Sequence, residues 1–403
     1  MSLDAVIAEA TEFIAQHWSP DLDGNVWRDL VIDHRWAALR WPEEWFGRGL
    51  SDDDAKVVEA VFVDAGAWGP GQDITNLWAG TMLAFGSDEL KRTFMRRLLR
   101  DEVAMCLLYS EPVAGSDLAG IRTTAVRDGD EWVVNGQKVW TSGARTADYG
   151  MLIARTDWDQ PKHRGITFFW LPMKQAGVEV RPLRQATGDA RFNEVFIADA
   201  RVPDTYRVGD LNKGWWVLQT ALAYERVAMG GARRTAASNK PSPRNLPRGA
   251  TANAHGDIPS PDIVLVDLAR RTGKHAEPAV RQALMTLHCL RTVNQLNNER
   301  AMAAARGGGS SPLASLGKLA MANILHLAGR IQGHLLGMEA TLDGDQHPAA
   351  RDANYSQLNA YFFSIGGGTD QIQRNIIGER ILGLPKEPEV DRDIPFRDVR
   401  TSG

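Results

Sequence analysis

The chain has 403 residues, 43% of them hydrophobic and 24% charged, with a formal net charge of -4. Such a length suits two or three domains at a soft prior of roughly 150 residues each. The near-balanced charge argues against a dedicated nucleic-acid or membrane-surface binder. The two cysteines, Cys106 and Cys289, fall in no paired spacing, so neither a disulfide framework nor a cysteine-rich metal site is indicated.

The N-terminal stretch from Met1 to Trp18 is amphipathic and carries Asp4, Glu9 and Glu12, unlike a basic-then-apolar leader, and no apolar run reaches about 18 residues. A cytoplasmic protein with no membrane insertion is expected. From Leu3 to about Ala104 apolar residues recur at helical spacing, as in Val57, Val58, Val61 and Phe94, Leu98, Leu99, with a break at Gly69-Pro70-Gly71. Near Met105 the pattern changes to short runs of β-formers: 107–109, 123–126, 132–134, 151–153 and 166–170. Turn signals separate them at Asp128-Gly129-Asp130, Asn135-Gly136 and His163-Arg164-Gly165. After Val202-Pro203 helical periodicity returns at Trp215 to Met229 and persists to about Leu384. It is interrupted by two polar stretches, Ala236 to Asp262 and Gly307 to Pro312, read as mobile loops. The expected domains are a helical domain over 1–104, an antiparallel β-domain over 105–205 and a helical domain over 206–403.

Helices, then sheet, then helices, without βαβ alternation, speaks against a Rossmann nucleotide fold, so any cofactor must be held another way. The sequence has no P-loop, and its histidines form no H-x-x-x-H pair, so no metal site is expected.

Two segments carry the chemistry. Tyr109-Ser110-Glu111-Pro112-Val113-Ala114-Gly115-Ser116-Asp117 is followed by Asn135-Gly136-Gln137-Lys138-Val139-Trp140-Thr141-Ser142-Gly143. Together they resemble the two β-domain signatures of the acyl-CoA dehydrogenase family. The likeness continues through Phe192-Asn193-Glu194-Val195-Phe196 and Gly368-Thr369-Asp370-Gln371. The resemblance implies an α+β, mainly α fold: an N-terminal helical domain, a central antiparallel β-domain and a C-terminal four-helix bundle. It also implies FAD, an acyl-CoA substrate, an electron-transfer flavoprotein as acceptor and a homo- or hetero-oligomer.

An isoalloxazine ring is flat and apolar with polar edges, so its site needs an aromatic wall and edge donors. By resemblance, Trp140 packs on the flavin and Ser142 bonds near N5. Ser110 meets the pyrimidine edge, Gly115 and Ser116 form the turn near the pyrophosphate, and Thr369 and Gln371 touch flavin bound largely to another subunit. In many members the base for the α-proton is the Glu of a Tyr-Glu-Gly-Thr segment. The matching segment here is Gly366-Gly367-Gly368-Thr369, and glycine cannot abstract a proton.

The family's alternative position holds Glu225, followed by Arg226, on a mainly apolar helical stretch. Burying a carboxylate there is costly unless it is paired or used, which makes Glu225 the candidate base and leaves a structural salt bridge as the plainer reading. Arg226 is the candidate substrate contact. The missing side chains of 366–368 suggest room for a bulky, branched or sterol-derived acyl group. Two segments that would serve the FAD tail, Arg-x-x-Phe-Gly and Gln-x-x-Gly-Gly, are absent where expected, near 236–262 and 336–345. That departure keeps other readings open: a related flavin oxidase or monooxygenase, a non-catalytic subunit of a mixed assembly, or a colourless CoA-thioester binder.

Overall fold

A computed structural model of the chain describes residues 2–229, 261–305 and 312–400. The two polar stretches read above as loops lie almost entirely outside the described residues. The chain divides into two compact units: Met1–Arg184 with Ala190–Ala252 and Glu389–Gly403, and Gln185–Asp189 with Asn253–Pro388.

The first unit begins with helices α1 (Leu3–His17), α2 (Gly24–Asp33), α3 (Asp52–Asp64), α4 (Gln72–Thr75), α5 (Leu77–Phe85) and α6 (Asp88–Leu99). Their starts are set by side-chain caps: Ser2, Asp23, Ser51, Asn76 and Ser87 each accept a hydrogen bond from a backbone N–H of the first turn. Their apolar faces close on a shared aromatic core, with buried Phe13 in ring contact with Trp27, Trp36 and Phe62. Such rings bury large apolar areas and dominate core energetics.

The sheet follows: β1 (Met105–Leu108), β2 (Thr124–Asp128), β3 (Glu131–Ser142), β4 (Tyr149–Arg155), β5 (Ile166–Pro172), β6 (Val178–Leu183), β7 (Phe192–Pro203) and β8 (Arg207–Val208). The strand order is β6-β7-β3-β2-β4-β5-β8, and β1 pairs with β4 in parallel while the extended ladders are otherwise antiparallel. Asp128-Gly129-Asp130 makes the β2–β3 hairpin, with Gly129 at φ 65°. Asn135-Gly136, read from sequence as a turn, instead lies inside β3 at a register shift against β7. Gly136 is needed there because a Cβ would meet Thr123 Oγ1 at 2.4 Å. A glycine in a strand thus marks a bulge and a close backbone approach.

Both faces of the sheet are covered by apolar residues. One face continues the helical core through Phe168 and Trp170, with Phe94 of α6 packed 5.8 Å from Trp170; the other holds Trp132, Phe169 and Val195. Helix α7 (Gly214–Met229) returns to this unit and buries Val217, Leu218 and Ala221 against β5, β4, α4 and α5.

The second unit contains α8 (Pro261–Arg271), α9 (Pro278–Ala305), α10 (Ala314–Leu336), α11 (Pro348–Ile365) and α12 (Asp370–Arg380). Leu268, Leu287, Ile324, Ile331 and Leu335 form its core. Gly329 of α10 faces Gln357 of α11, where a Cβ would lie 2.9 Å from Gln357 Cγ, so the glycine permits the close helix approach. Residues 389–400 belong to the first unit, where the Phe396 and Arg397 backbone N–H groups donate to the carbonyls of Gln160 and Trp158. Among the described residues no helix is long and apolar enough to cross a membrane, and no group of three His, Cys, Asp or Glu side chains is placed to hold a metal.

Candidate active site

The two signature segments meet through a buried ion pair that motif reading had not singled out. Lys138 Nζ donates to Glu111 Oε1 at 2.8 Å and to the Tyr109 carbonyl at 3.1 Å. Glu111 also accepts from the backbone N–H groups of Arg122 and Thr123 at 2.7 and 2.9 Å. Lys138 is 0% exposed and Glu111 5%, so neither charge is screened by water. Burial alone would raise the Glu111 carboxyl, but Lys138 and the two N–H donors outweigh it and hold it below its ordinary value. For Lys138, burial outweighs the pairing and pushes the ammonium down. Val139 N–H donates to the Ser110 carbonyl at 2.9 Å, which fixes Ser110 beside the residue before Trp140.

Trp140 has φ 62°, in the left-handed region, between the paired positions Lys138↔Val195 and Thr141↔Asn193, where β3 holds one residue more than β7. A bulky residue there is an outlier, costing on the order of 1–3 kcal/mol. The bulge turns the indole outward, 56% exposed, with its neighbour Phe192 edge-on at 6.0 Å. Thr141 and Asn193 beneath it are buried, and Thr141 Oγ1 and Asn193 Oδ1 have no hydrogen-bond partner. Ser142 is exposed and Ser110 half-buried. Gly115 and Ser116 are exposed, and a Cβ added at Gly115 would meet nothing within 4 Å. An outward indole, flanking hydroxyls and an open glycine turn suit a flat ring with polar edges and a phosphate tail.

Glu225 lies half-buried on α7. Its neighbour across the packing is Tyr109: burial first, and then the Glu225 charge, raise the Tyr109 phenol well above its ordinary value. Glu225 is thereby placed near the residue that precedes Ser110. Tyr224 beside it packs on Gly80 of α5, where a Cβ would lie 2.6 Å from the ring carbon Cζ. Arg226 lies in α7 with its side chain outside the described residues. Ser110, Gly115, Ser116, Trp140, Ser142 and Glu225 all belong to the first unit. Thr369 and Gln371 belong to the second; Thr369 Oγ1 caps α12 by accepting from Ile372 N–H at 3.2 Å, and Gln371 is exposed. Gly367, in the segment that resembles Tyr-Glu-Gly-Thr, has φ 68°.

Two family models match the chain: "acyl-CoA dehydrogenase, middle domain" over residues 106–200 and "acyl-CoA dehydrogenase, C-terminal domain" over 264–382. The chain is 34% identical to the acyl-CoA dehydrogenase IpdE1 of Mycobacterium tuberculosis, over 90% of this chain and 88% of that one. The chain belongs to the acyl-CoA dehydrogenase family. It is also 37% identical to the acyl-CoA dehydrogenase FadE34 of the same organism over 88% of its own length, but spans only 46% of that longer protein. Among solved structures, the Tcur3481-Tcur3483 steroid ACAD matches with a TM-score of 0.69 and 25% identity, covering 96% of this chain and 98% of that one. As an acyl-CoA dehydrogenase, the chain is an oxidoreductase with FAD as cofactor, and its reaction is the α,β-desaturation of an acyl-CoA thioester.

Proposed function

We propose that this acyl-CoA dehydrogenase takes the α-proton of its substrate on Glu225. The observation carrying this is the carboxylate's position: half-buried on an apolar helix face, near Tyr109 and the Ser110 segment, in a chain whose other candidate position is Gly367. FAD, when bound, supplies the acceptor for the β-hydride. When FAD is bound, Trp140 would wall the ring, Ser110 and Ser142 would meet its polar edges, and Gly115 and Ser116 would let backbone N–H groups approach the pyrophosphate. Glu225 would hold and remove the α-proton, its half-buried position on α7 reducing its contact with water. Arg226, next on the helix, contacts the acyl-CoA. Thr369 and Gln371 complete a flavin site that belongs largely to another subunit, in a homo- or hetero-oligomer.

The substrate we propose is a bulky acyl-CoA of branched or sterol-derived type, oxidised in the cytoplasm with an electron-transfer flavoprotein as acceptor. What supports this is that Gly367 lacks the side chain that the Tyr-Glu-Gly-Thr segment carries at that position, and that the Tcur3481-Tcur3483 steroid ACAD matches nearly the full chain. The experiment is an anaerobic visible spectrum of the yellow protein with a panel of straight-chain, branched and steroid-side-chain acyl-CoAs. Bleaching by the bulky thioesters and not by straight-chain ones supports the reading, and bleaching by straight chains alone overturns the substrate class. Reoxidation by an electron-transfer flavoprotein is expected to outpace reoxidation by air; the reverse would make the chain an oxidase.

A further inference from the structure

Within the first signature, Pro112, Val113, Gly115, Ser116 and Asp117 are exposed, while Ala114 is buried and exchanges backbone hydrogen bonds with Glu111. Beyond Ala114 the turn is braced by Lys162 and Arg155, which are held in turn by the far end of the chain. Lys162 Nζ bridges two carboxylates, Asp117 at 3.2 Å and Asp391 at 3.1 Å, with the lysine side chain only 12% exposed. Burial pushes that ammonium down, but its hydrogen bond to Asp391 and the charge of Asp117 outweigh it and raise it overall. Five residues after Asp391, Phe396 is buried at 2% exposure, and its backbone N–H donates to the Gln160 carbonyl at 3.0 Å.

Phe396 covers a second brace. The Arg155 guanidinium is 0% exposed and lies 3.5 Å from the centre of the Phe396 ring. Its three nitrogens donate to the carbonyls of Ala119 at 2.6 Å, Ile121 at 3.1 Å and Lys162 at 3.2 Å. Ala119 and Ile121 are the backbone leading directly out of the Gly115-Ser116-Asp117 turn, and Lys162 is the lysine that grips Asp117. The tail therefore touches both groups that hold the turn, by charge through Asp391 and by stacking through Phe396.

We infer that residues 389–400 form a strap that preforms the Gly115-Ser116-Asp117 turn for the flavin pyrophosphate, with Lys162, Asp391 and Phe396 as positioning residues. The inference rests on the reading of that turn as the phosphate site. An ordered turn spends less binding free energy on immobilisation, so the strap acts on flavin retention without touching the flavin.

The test uses the full-length holoenzyme and follows FAD release on dilution by the rise in flavin fluorescence, with melting of the flavin-free chain measured in parallel. Asp391→Asn and Lys162→Met are expected to release FAD about ten-fold faster, a loss of about 1.4 kcal/mol. Their flavin-free forms melt near the wild type, Lys162→Arg retains flavin, and the double variant is no worse than Lys162→Met. Gly115→Val is the control for the underlying reading, because an added side chain there meets open space and the backbone needs no left-handed conformation. If Gly115→Val loses FAD while Asp391→Asn and Lys162→Met keep it at the wild-type rate, the strap is wrong and the turn stands. If Gly115→Val keeps FAD as the wild type does, the turn itself is misread and the strap falls with it. A drop in the flavin-free melting temperature with FAD release unchanged makes the tail merely structural and also overturns the inference.

Discussion

Lys138 and Glu111, twenty-seven residues apart, form a fully buried ion pair at 2.8 Å that ties the Ser110 segment to the strand bearing Trp140. Removing one partner of such a pair leaves an uncompensated charge and typically costs about 3–5 kcal/mol. Lys138→Met is therefore expected to lower stability by that amount in urea unfolding and to shed flavin. A loss below about 1 kcal/mol would mean that the pair does not lock the two segments.

The same pair sets an acid limit. The Glu111 carboxyl is held below its ordinary value, so its contribution is present above the unfolded carboxylate range, about pH 4, and is lost as pH falls through the lower folded value. The stability gap between wild type and Glu111→Gln is expected to be constant near neutrality and to shrink below about pH 4. A gap independent of pH down to the acid unfolding limit would contradict this.

Trp140 separates local strain from cofactor binding. Its φ of 62° disfavours every side chain, by roughly 1–2 kcal/mol relative to glycine. Trp140→Gly is expected to leave the flavin-free chain as stable as the wild type or slightly more so, while FAD retention falls by about ten-fold or more through loss of the aromatic wall. Undiminished flavin content in that variant would remove the indole from the site.

Gly80 offers a test of how Glu225, the proposed base, is positioned. Alanine is normally better than glycine inside a helix, by about 0.8–1 kcal/mol. Here its Cβ would run into the Tyr224 ring at 2.6 Å, so Gly80→Ala is expected to destabilise by about 1–3 kcal/mol and to slow flavin reduction by shifting α7. Melting and stopped-flow reduction report the two effects, and Tyr224→Val in the same background should relieve the first. A stabilised Gly80→Ala would show that α5 does not set the position of α7.

The oligomer predicted for this chain has a surface to examine on α9, where Met285, Val293 and Leu296 share one face and are 55%, 53% and 58% exposed. Val293→Glu with Leu296→Glu is expected to shift sedimentation toward smaller species while leaving helix content intact. An unchanged distribution would place the association elsewhere.

Much of the fold was legible because period and punctuation change sharply at Met105 and again after Pro203. The strands expected at 107–109, 123–126, 132–134, 151–153 and 166–170 overlap β1 to β5. β6 escaped notice because the apolar-charged alternation of Val178, Glu179, Val180 and Arg181 is short and stops at Pro182. Asn135-Gly136 misled because the signal for a turn and the signal for a bulge are the same glycine. The candidate site residues stood out as motifs, but the pair Lys138–Glu111 and the buried Arg155 did not, since charged residues look like solvent-facing positions until their partners are known. The tail at 389–400 carries no periodicity, and its contacts span more than 200 residues of sequence.

The most direct measurement is anaerobic reduction of the bound flavin by a good acyl-CoA substrate in Glu225→Gln, with FAD content checked in each preparation. The substitution keeps the shape of the side chain and removes the proton acceptor. General bases commonly contribute about 100- to 10,000-fold, so bleaching is expected to slow by at least 100-fold while flavin content stays at the wild-type level. Bleaching at the wild-type rate in Glu225→Gln would contradict the assignment of Glu225 as the base.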